Sequence, residues 1–314
     1  MKRILKVLGL LVGLLIVVLL VINFRGIPTY DVNLVEHEVV STPESVAKGK
    51  KFVLTLCASC HMNQETGKLT GKHMLDAPKE FGEIYSLNIT QDKEHGIGEY
   101  SDEELIYLLR TGIKRDGHYA PPYMAKLPKL ADKDLDAIIS FLRSDDPLVA
   151  ADPTPDRPCE PSLLTKVLCN VAFKPLPMPT EEIPLPDTSD VLEYGQYLAH
   201  NFECFSCHSA DFKTNDFLEP VNSAGYFGGG NKPLNEKGQV IVTPNLTSDK
   251  ETGIGNWSEE DFIQAVKYGA KKDAEALRYP MIPYSRLTDY EVSCIFKYLK
   301  TVPVISNKVE RQFY

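Results

Sequence analysis

Cys57-Ala58-Ser59-Cys60-His61 and Cys204-Phe205-Ser206-Cys207-His208 are one motif written twice. Each is a C-x-x-C-H, the attachment signature of a c-type haem. On a helical turn, two thiols three positions apart reach the two vinyl groups of one porphyrin, and the adjacent imidazole lies under the iron as its proximal ligand. C-x-x-C alone leaves a redox dithiol or a structural zinc site open. The His that follows in both copies argues against the dithiol. Neither copy has a clear second ligand pair nearby, which argues against zinc. Two covalently bound haem c groups are therefore expected, on Cys57 and Cys60 with His61, and on Cys204 and Cys207 with His208.

The surroundings repeat as well. A shift of 157 lays Asn88–Tyr100 (NITQDKEHGIGEY) on Asn245–Trp257 (NLTSDKETGIGNW), with eight of thirteen positions identical. Leu130–Leu142 falls on Leu287–Leu299 at the same shift, but Cys57 and Cys204 are only 147 apart. The second copy therefore carries ten extra residues between its haem motif and Asn245, expected near Gly228-Gly229-Gly230. A repeat this long means two copies of one domain.

The repeat also selects a second axial ligand. Of the six Met, at 1, 62, 74, 124, 178 and 281, only Met124 and Met281 match at the shift. Met124 follows Pro121-Pro122-Tyr123, and Met281 lies between Pro280 and Pro283. A stiff loop holds a thioether against an iron at low ordering cost. The competing role is core filling, the usual work of Met. His118 is the rival ligand in the first copy, but its repeat partner is Glu275.

The N-terminus places these motifs in the cell. Lys2, Arg3 and Lys6 precede eighteen uncharged residues, Val7 to Phe24. That length suits a membrane span and exceeds a typical signal-peptide core. No small-x-small cleavage site follows, and the basic flank favours an inside N-terminus. The expectation is an anchor in the inner (cytoplasmic) membrane with the haem domains on the periplasmic side; a cleaved signal peptide is the alternative, and either exports them. The formal charge is −9. Residues 1–30 hold four basic and no acidic side chains, leaving 30 basic against 43 acidic, a formal −13. Nucleic acid is not an expected partner. An acidic surface suits a basic redox partner, and equally keeps an exported domain soluble.

Four segments follow: 1–30 the anchor, 45–147 and 188–302 the two domains, and 148–187 a linker. Residues 25–44 read as a tether without helical period. Ser45–Leu56 and Asp190–Phe202 read as helices running into the haem motifs, with Gly49 and Gly195 placed for a close helix crossing. Ser101 with Glu104, and Ser258 with Asp261, are capping boxes, and Gly112 and Gly269 are the matching C-caps. Leu135, Ile138, Ile139 and Leu142, copied as Val292, Ile295, Phe296 and Leu299, form one apolar helical stripe. The Asn-x-Thr triplets at Asn88 and Asn245 read as turn and pocket-wall residues rather than glycosylation sites. Tyr100 and Trp257 fit the haem edge or ordinary core. Pro147–Pro186 holds ten of the 22 Pro and is too poor in apolar period to be a domain. Cys159 and Cys169 within it are expected to form a disulfide, and Cys294 a buried free thiol.

Together, the haem motifs, the Asn…Gly-Ile-Gly segment and the Met loop before the last helix resemble class I cytochrome c domains. The Asn…Gly-Ile-Gly-x-Tyr/Trp segment is most similar to the cytochrome subunits of bacterial membrane-bound alcohol and aldehyde dehydrogenases. The resemblance covers most of 45–145 and 188–302. It implies a mainly α fold, two tandem class I cytochrome c domains behind an N-terminal transmembrane helix. Residue by residue it implies attachment at Cys57, Cys60, Cys204 and Cys207, proximal ligation by His61 and His208, and distal ligation by Met124 and Met281. Those dehydrogenase subunits resemble a three-haem array with a different membrane attachment, whereas this chain has two motifs and an N-terminal anchor.

The expected function is transfer of single electrons between respiratory-chain partners through two His/Met haems, since six-coordinate iron leaves no position for substrate. No residue is assigned a catalytic role. A dihaem peroxidase is the enzymatic alternative; it needs one iron that opens, and the matched Met pair argues against it. A fixed electron-transfer subunit of a dehydrogenase or oxidase complex is the third reading, and the sequence does not separate it from the first.

Overall fold

A computed structural model of the chain describes residues 1–271 and 275–310. It is mainly helical. Helix α1 (Lys2–Arg25) lies at the N-terminus with no buried residue, touching the rest of the chain by its last turns. The first repeat contains α2 (Pro43–Phe52), α3 (Ala58–His61), α4 (Asp102–Thr111) and α5 (Asp132–Leu142). After α6 (Leu163–Val171), the second repeat contains α7 (Val191–Asn201), α8 (Cys204–His208), α9 (Glu259–Tyr268) and α10 (Asp289–Leu299). Among the described residues the one named sheet is a two-residue pairing, β1 (Gly82–Glu83) antiparallel to β2 (Glu160–Pro161).

The helices start where polar side chains satisfy their free backbone donors. Thr42, Ser101, Ser258 and Thr288 each close a capping box, with Ser45, Glu104, Asp261 and Glu291 as the reciprocal partners. Gly112 and Gly269 end α4 and α9 at φ 82° and 73°, a left-handed turn that any Cβ would strain.

Each repeat is held by a crossing of its first and last helices, α2 on α5 and α7 on α10. A Cβ on Gly49 would lie 1.7 Å from the Ala137 carbonyl oxygen, and one on Gly195 would lie 2.1 Å from that of Cys294. Only a hydrogen at these positions lets the backbones approach so closely. The expected apolar stripes of α5 and α10 are buried beneath these crossings, and Cys294 is fully buried with them.

The two repeats then meet through equivalent residues. Lys51, two positions past Gly49, forms an ion pair with Glu291 on α10. Tyr197, two positions past Gly195, donates its hydroxyl to Asp134 on α5 at 2.6 Å. Asp134 and Glu291 are themselves 157 apart. The interface is thus pseudo-two-fold: each repeat reaches with one face of its first helix into the acid on the other's last helix. Phe52 and Phe202 stack across it with centroids 5.5 Å apart.

The connecting segments are more ordered than their composition implies. The tether is stitched to the first repeat: Tyr30 N–H donates to Gly117 O (2.8 Å), the Thr29 and His118 backbones bridge, and His37 contacts Asp136 (2.7 Å). The Pro-rich linker straps the same repeat, through β2, Leu176 N–H to Thr111 O (3.1 Å) and Ile183 N–H to Asp132 (3.0 Å). It also contains α6, capped by Ser162. Proline on both sides hides this short apolar run, which forms because its buried face, Thr165 and Cys169, packs on the first repeat.

The expected Cys159–Cys169 disulfide is not formed; both are free thiols. The Cys159 Sγ is instead paired with the Tyr85 backbone, accepting from N–H at 3.3 Å and donating to O at 3.2 Å. Cys169 points into the packed face of α6. The second repeat's extra residues run up to the glycines where they were expected. Gly71 N–H donates to His61 O, and Gly229 N–H plays that part for His208 O. The longer connection therefore lies between Ser209 and Gly228, with Gly229 closing it at φ 70°. A Cβ there would come within 2.5 Å of the Pro244 carbonyl carbon.

Candidate haem-binding sites

The first motif rides on a continuous helical path: α2 passes through a wider π-type turn, Val53–Cys57, into α3, which carries Cys60 and His61. The second sits wholly on α8, entered through Glu203 in a left-handed conformation, φ 55°. Both place the two thiols and the imidazole on one short helical segment.

The imidazoles are oriented alike. His61 Nδ1 bonds to Leu87 O at 2.7 Å, and His208 Nδ1 to Pro244 O at 3.0 Å. Leu87 and Pro244 are 157 apart, each directly before its Asn-x-Thr triplet. A backbone carbonyl on Nδ1 fixes the proton there and leaves Nε2 as a free lone pair, the arrangement that orients a metal-ligating His. Burial lowers the pKa of both rings, which keeps them neutral. Burial also pushes Cys57 and Cys204 up to about 12, and Cys207 up to about 11. Two thiols and one imidazole fit covalent haem attachment and fall short of the four ligands of a structural zinc site. Among the described residues, no cluster of three or more His, Cys, Asp and Glu side chains could hold a metal ion.

Asn88 and Asn245 follow directly on those two carbonyls and are buried in their own turns. Each is 2 % exposed and accepts from the N–H two residues on, of Thr90 (2.9 Å) or Thr247 (2.8 Å). Their amide NH2 groups are already spent, Asn88 on Asp152 O and Thr154 O, Asn245 on Thr252 and Ile305 O.

Met124 and Met281 end equivalent turns on the loops between α4 and α5 and between α9 and α10, both half-buried. Those loops are pinned in register. Ala120 N–H donates to Gly112 O (2.7 Å) and Leu277 N–H to Gly269 O (2.8 Å). Leu127 N–H donates to Leu109 O, and Tyr284 N–H to Val266 O, both at 2.7 Å. Every partner in the second set is 157 beyond its counterpart. His118, the rival, is more than half exposed, its ring against Asp116 at 3.0 Å.

Three groups near the motifs carry no repeat signal and were not legible in the sequence. Lys126 is buried in the Met124 loop, where Nζ donates to Pro121 O at 2.8 Å and burial lowers its pKa to about 7. Glu203, directly before Cys204, has its Oε1 buried without a hydrogen-bond partner among the described residues. Burial raises its pKa to about 7, with Lys126 pulling the other way. The Tyr284 hydroxyl lies deep beside Cys204 and Cys207, its pKa pushed well above the ordinary value by burial.

A family model described as cytochrome c matches residues 46–145 and again 192–303. This chain belongs to the cytochrome c family. Its two cytochrome c domains each carry a C-x-x-C-H pair, which implies covalent haem c. The chain is 29 % identical over 300 residues to the fructose dehydrogenase cytochrome subunit of Gluconobacter japonicus, covering 90 % of this chain and 56 % of that one. It is 29 % identical over 279 residues to the cytochrome c subunit of a quinone alcohol dehydrogenase of Gluconobacter oxydans, covering 83 % and 56 %. A diheme cytochrome c-type protein of Cereibacter sphaeroides is 27 % identical over 267 residues, covering 79 % and 82 %. The cytochrome thus spans about half the length of the dehydrogenase subunits it matches. It is an electron-transfer protein homologous to dehydrogenase cytochrome subunits, with an N-terminal apolar helix ahead of its two domains.

Proposed function

We propose that this cytochrome is a membrane-anchored dihaem carrier that moves single electrons between respiratory-chain partners, with His61 and Met124 ligating one iron and His208 and Met281 the other. The observation that carries the reading is the equivalence of the two pockets: both imidazoles, 147 apart, take the same tautomer, and the carbonyls that hold them, the Met turns and the loop register match at one shift of 157. A haem bound by thioether and imidazole supplies one-electron chemistry at a raised potential, with no vacant coordination position.

The chain's own residues do the rest. Leu87 and Pro244 carbonyls hold each imidazole proton on Nδ1, so Nε2 faces the pocket. The Met loops, pinned at both ends to the neighbouring helix, hold the thioethers with little freedom to swing away. The pseudo-two-fold interface sets one domain against the other. Phe52 and Phe202, stacked across that interface, lie close in sequence to Cys57 and Cys204. Such a fixed contact suits single-electron passage from one domain to the other.

A second reading is favoured by the relatives, two of which are named as subunits of fructose and alcohol dehydrogenases. In it this chain is a fixed subunit of such a complex, delivering electrons from a dehydrogenase to the membrane. Purification in mild detergent separates the two: a stable co-purifying dehydrogenase supports the subunit, an isolated redox-active chain the independent carrier. A peroxidase would require one of the pockets to open, and the matched Met pair stands against that. Met124→Ala and Met281→Ala test the ligand assignment. Each variant should convert one haem to high spin and leave the other unchanged; an unaltered low-spin spectrum would remove that Met from the iron.

A further inference from the structure

Helix α6 presents three faces, and among the described residues two of them are occupied by protein. One packs on the first domain, where Thr165 Oγ1 donates to Phe81 O at 2.7 Å and Cys169 is buried. The second lies against the last turns of α1. There Lys166 Nζ donates to Asn23 Oδ1 at 2.9 Å, and Asn170 Nδ2 donates to Gly26 O at 3.0 Å. Leu19 and Ile22, half-buried in a helix otherwise exposed, complete an i, i+3, i+4, i+7 stripe with Asn23 and Gly26. The third face carries Leu164 and Val171, seven residues apart and exposed by 45 and 65 %.

We infer that α6 is an interfacial helix, with Leu164 and Val171 buried in the outer headgroup boundary of the same bilayer that α1 crosses. The argument is one of level. A helix of 24 residues is about 36 Å long against about 30 Å of hydrocarbon. The last turn of α1 therefore emerges at the lipid headgroups, and α6 is hydrogen-bonded to that turn. An exposed apolar face at that level meets acyl chains. Arg25, Lys166 and Lys174 lie at the same level, where cations face anionic headgroups. Phe24, 86 % exposed at the end of α1, is an aromatic at the interface.

The consequence is orientation. The anchor leaves the membrane directly into the first domain, because residues 28–31 bond to Tyr119, Gly117 and Tyr107 of that domain. With α6 lying in the interface as well, the first domain is held against the bilayer and cannot swing on its tether. The His61 pocket then belongs to the membrane-proximal domain and the His208 pocket to the distal one, which orders electron passage between a membrane-side carrier and a soluble or peripheral partner. The inference rests on α1 being a retained span, as proposed above.

The test uses the full-length holoprotein in vesicles of phosphatidylethanolamine and phosphatidylglycerol. A nitroxide is placed by Leu164→Cys, Val171→Cys or, as the distal control, Val221→Cys, each with Cys159→Ser. The haems are kept reduced, so that low-spin iron is diamagnetic, and an unchanged haem spectrum certifies the fold. Labels at 164 and 171 should collide more often with dissolved oxygen than with a water-soluble nickel chelate, and the label at 221 the reverse. If the protein floats with the vesicles but positions 164 and 171 respond like 221, the interfacial helix is wrong while the anchor stands. If the protein does not float, the anchor reading fails and the inference with it.

Discussion

The Tyr197 hydroxyl of the second domain donates to the buried carboxylate of Asp134 in the first at 2.6 Å, while Lys51 of the first answers to Glu291 of the second. These are the same two positions of one repeat, used reciprocally. Asp134 is 1 % exposed and Glu291 5 % exposed, so each acid depends on its partners for charge compensation. Lys48 supplies part of it for Asp134. The Tyr197 hydroxyl also accepts from Ala131 N–H at 3.1 Å, at the start of α5. The domains are therefore joined by polar contacts with fixed geometry, which set one domain against the other.

Tyr197→Phe should cost about 1–3 kcal/mol, the penalty of leaving a buried acceptor and a backbone donor short of a partner. Urea unfolding followed through the haem spectra measures it. The loss should come with a separation of the two domains' transitions, since the mutation weakens their junction and neither core. An unchanged, single transition would mean that this contact does not couple the domains.

Gly49→Ala and Gly195→Ala should each destabilise by about 3 kcal/mol, the upper end of overpacking costs, because the obstruction is backbone and cannot rotate away. Each variant should lower only its own domain's unfolding midpoint. Equal loss in both domains after one substitution would show that the crossing stabilises the interface rather than the domain.

His200 gives a pH dependence of known sign. Burial beside Tyr226 lowers its pKa from 6.5 to about 4 in the folded chain. Between those values the unfolded chain binds a proton that the folded chain refuses, so stability is complete above about 6.5 and is lost as pH falls towards about 4. His200→Phe should flatten this part of the profile, leaving Tyr226 bonded to Tyr298. A wild-type denaturation midpoint independent of pH across that window would contradict the assignment.

Cys159, Cys169 and Cys294 are free thiols in the structure. With the four motif thiols consumed as thioethers, the unfolded holoprotein should titrate three thiols without reductant. A single titratable thiol would indicate the Cys159–Cys169 bridge that the sequence suggested.

Much of this was legible because the repeat doubles each signal. Met124 stands out among six Met only because Met281 lies one shift away. The capping boxes at Ser101 and Ser258 and the C-caps at Gly112 and Gly269 are local chemistry, complete within a few residues of chain. What stayed hidden lacks either property. Helix α6 has no counterpart in the repeat, and its helicity depends on contacts with α1 and with Phe81, far away in sequence. Lys126 and Glu203 show nothing unusual until folding buries them between the domains. The Leu87 and Pro244 carbonyls are backbone atoms, so residue type could not announce them. Only their place before the repeated Asn could have.

The most direct test of the two-haem account is a redox-poised absorption spectrum of the purified full-length protein, with haem quantified per chain. The account predicts two low-spin haems, both with the far-red band of a methionine-to-iron bond in the oxidised state and both losing it on reduction. One haem per chain, or one that is high-spin or bis-histidine, would contradict it and make peroxide turnover the next assay.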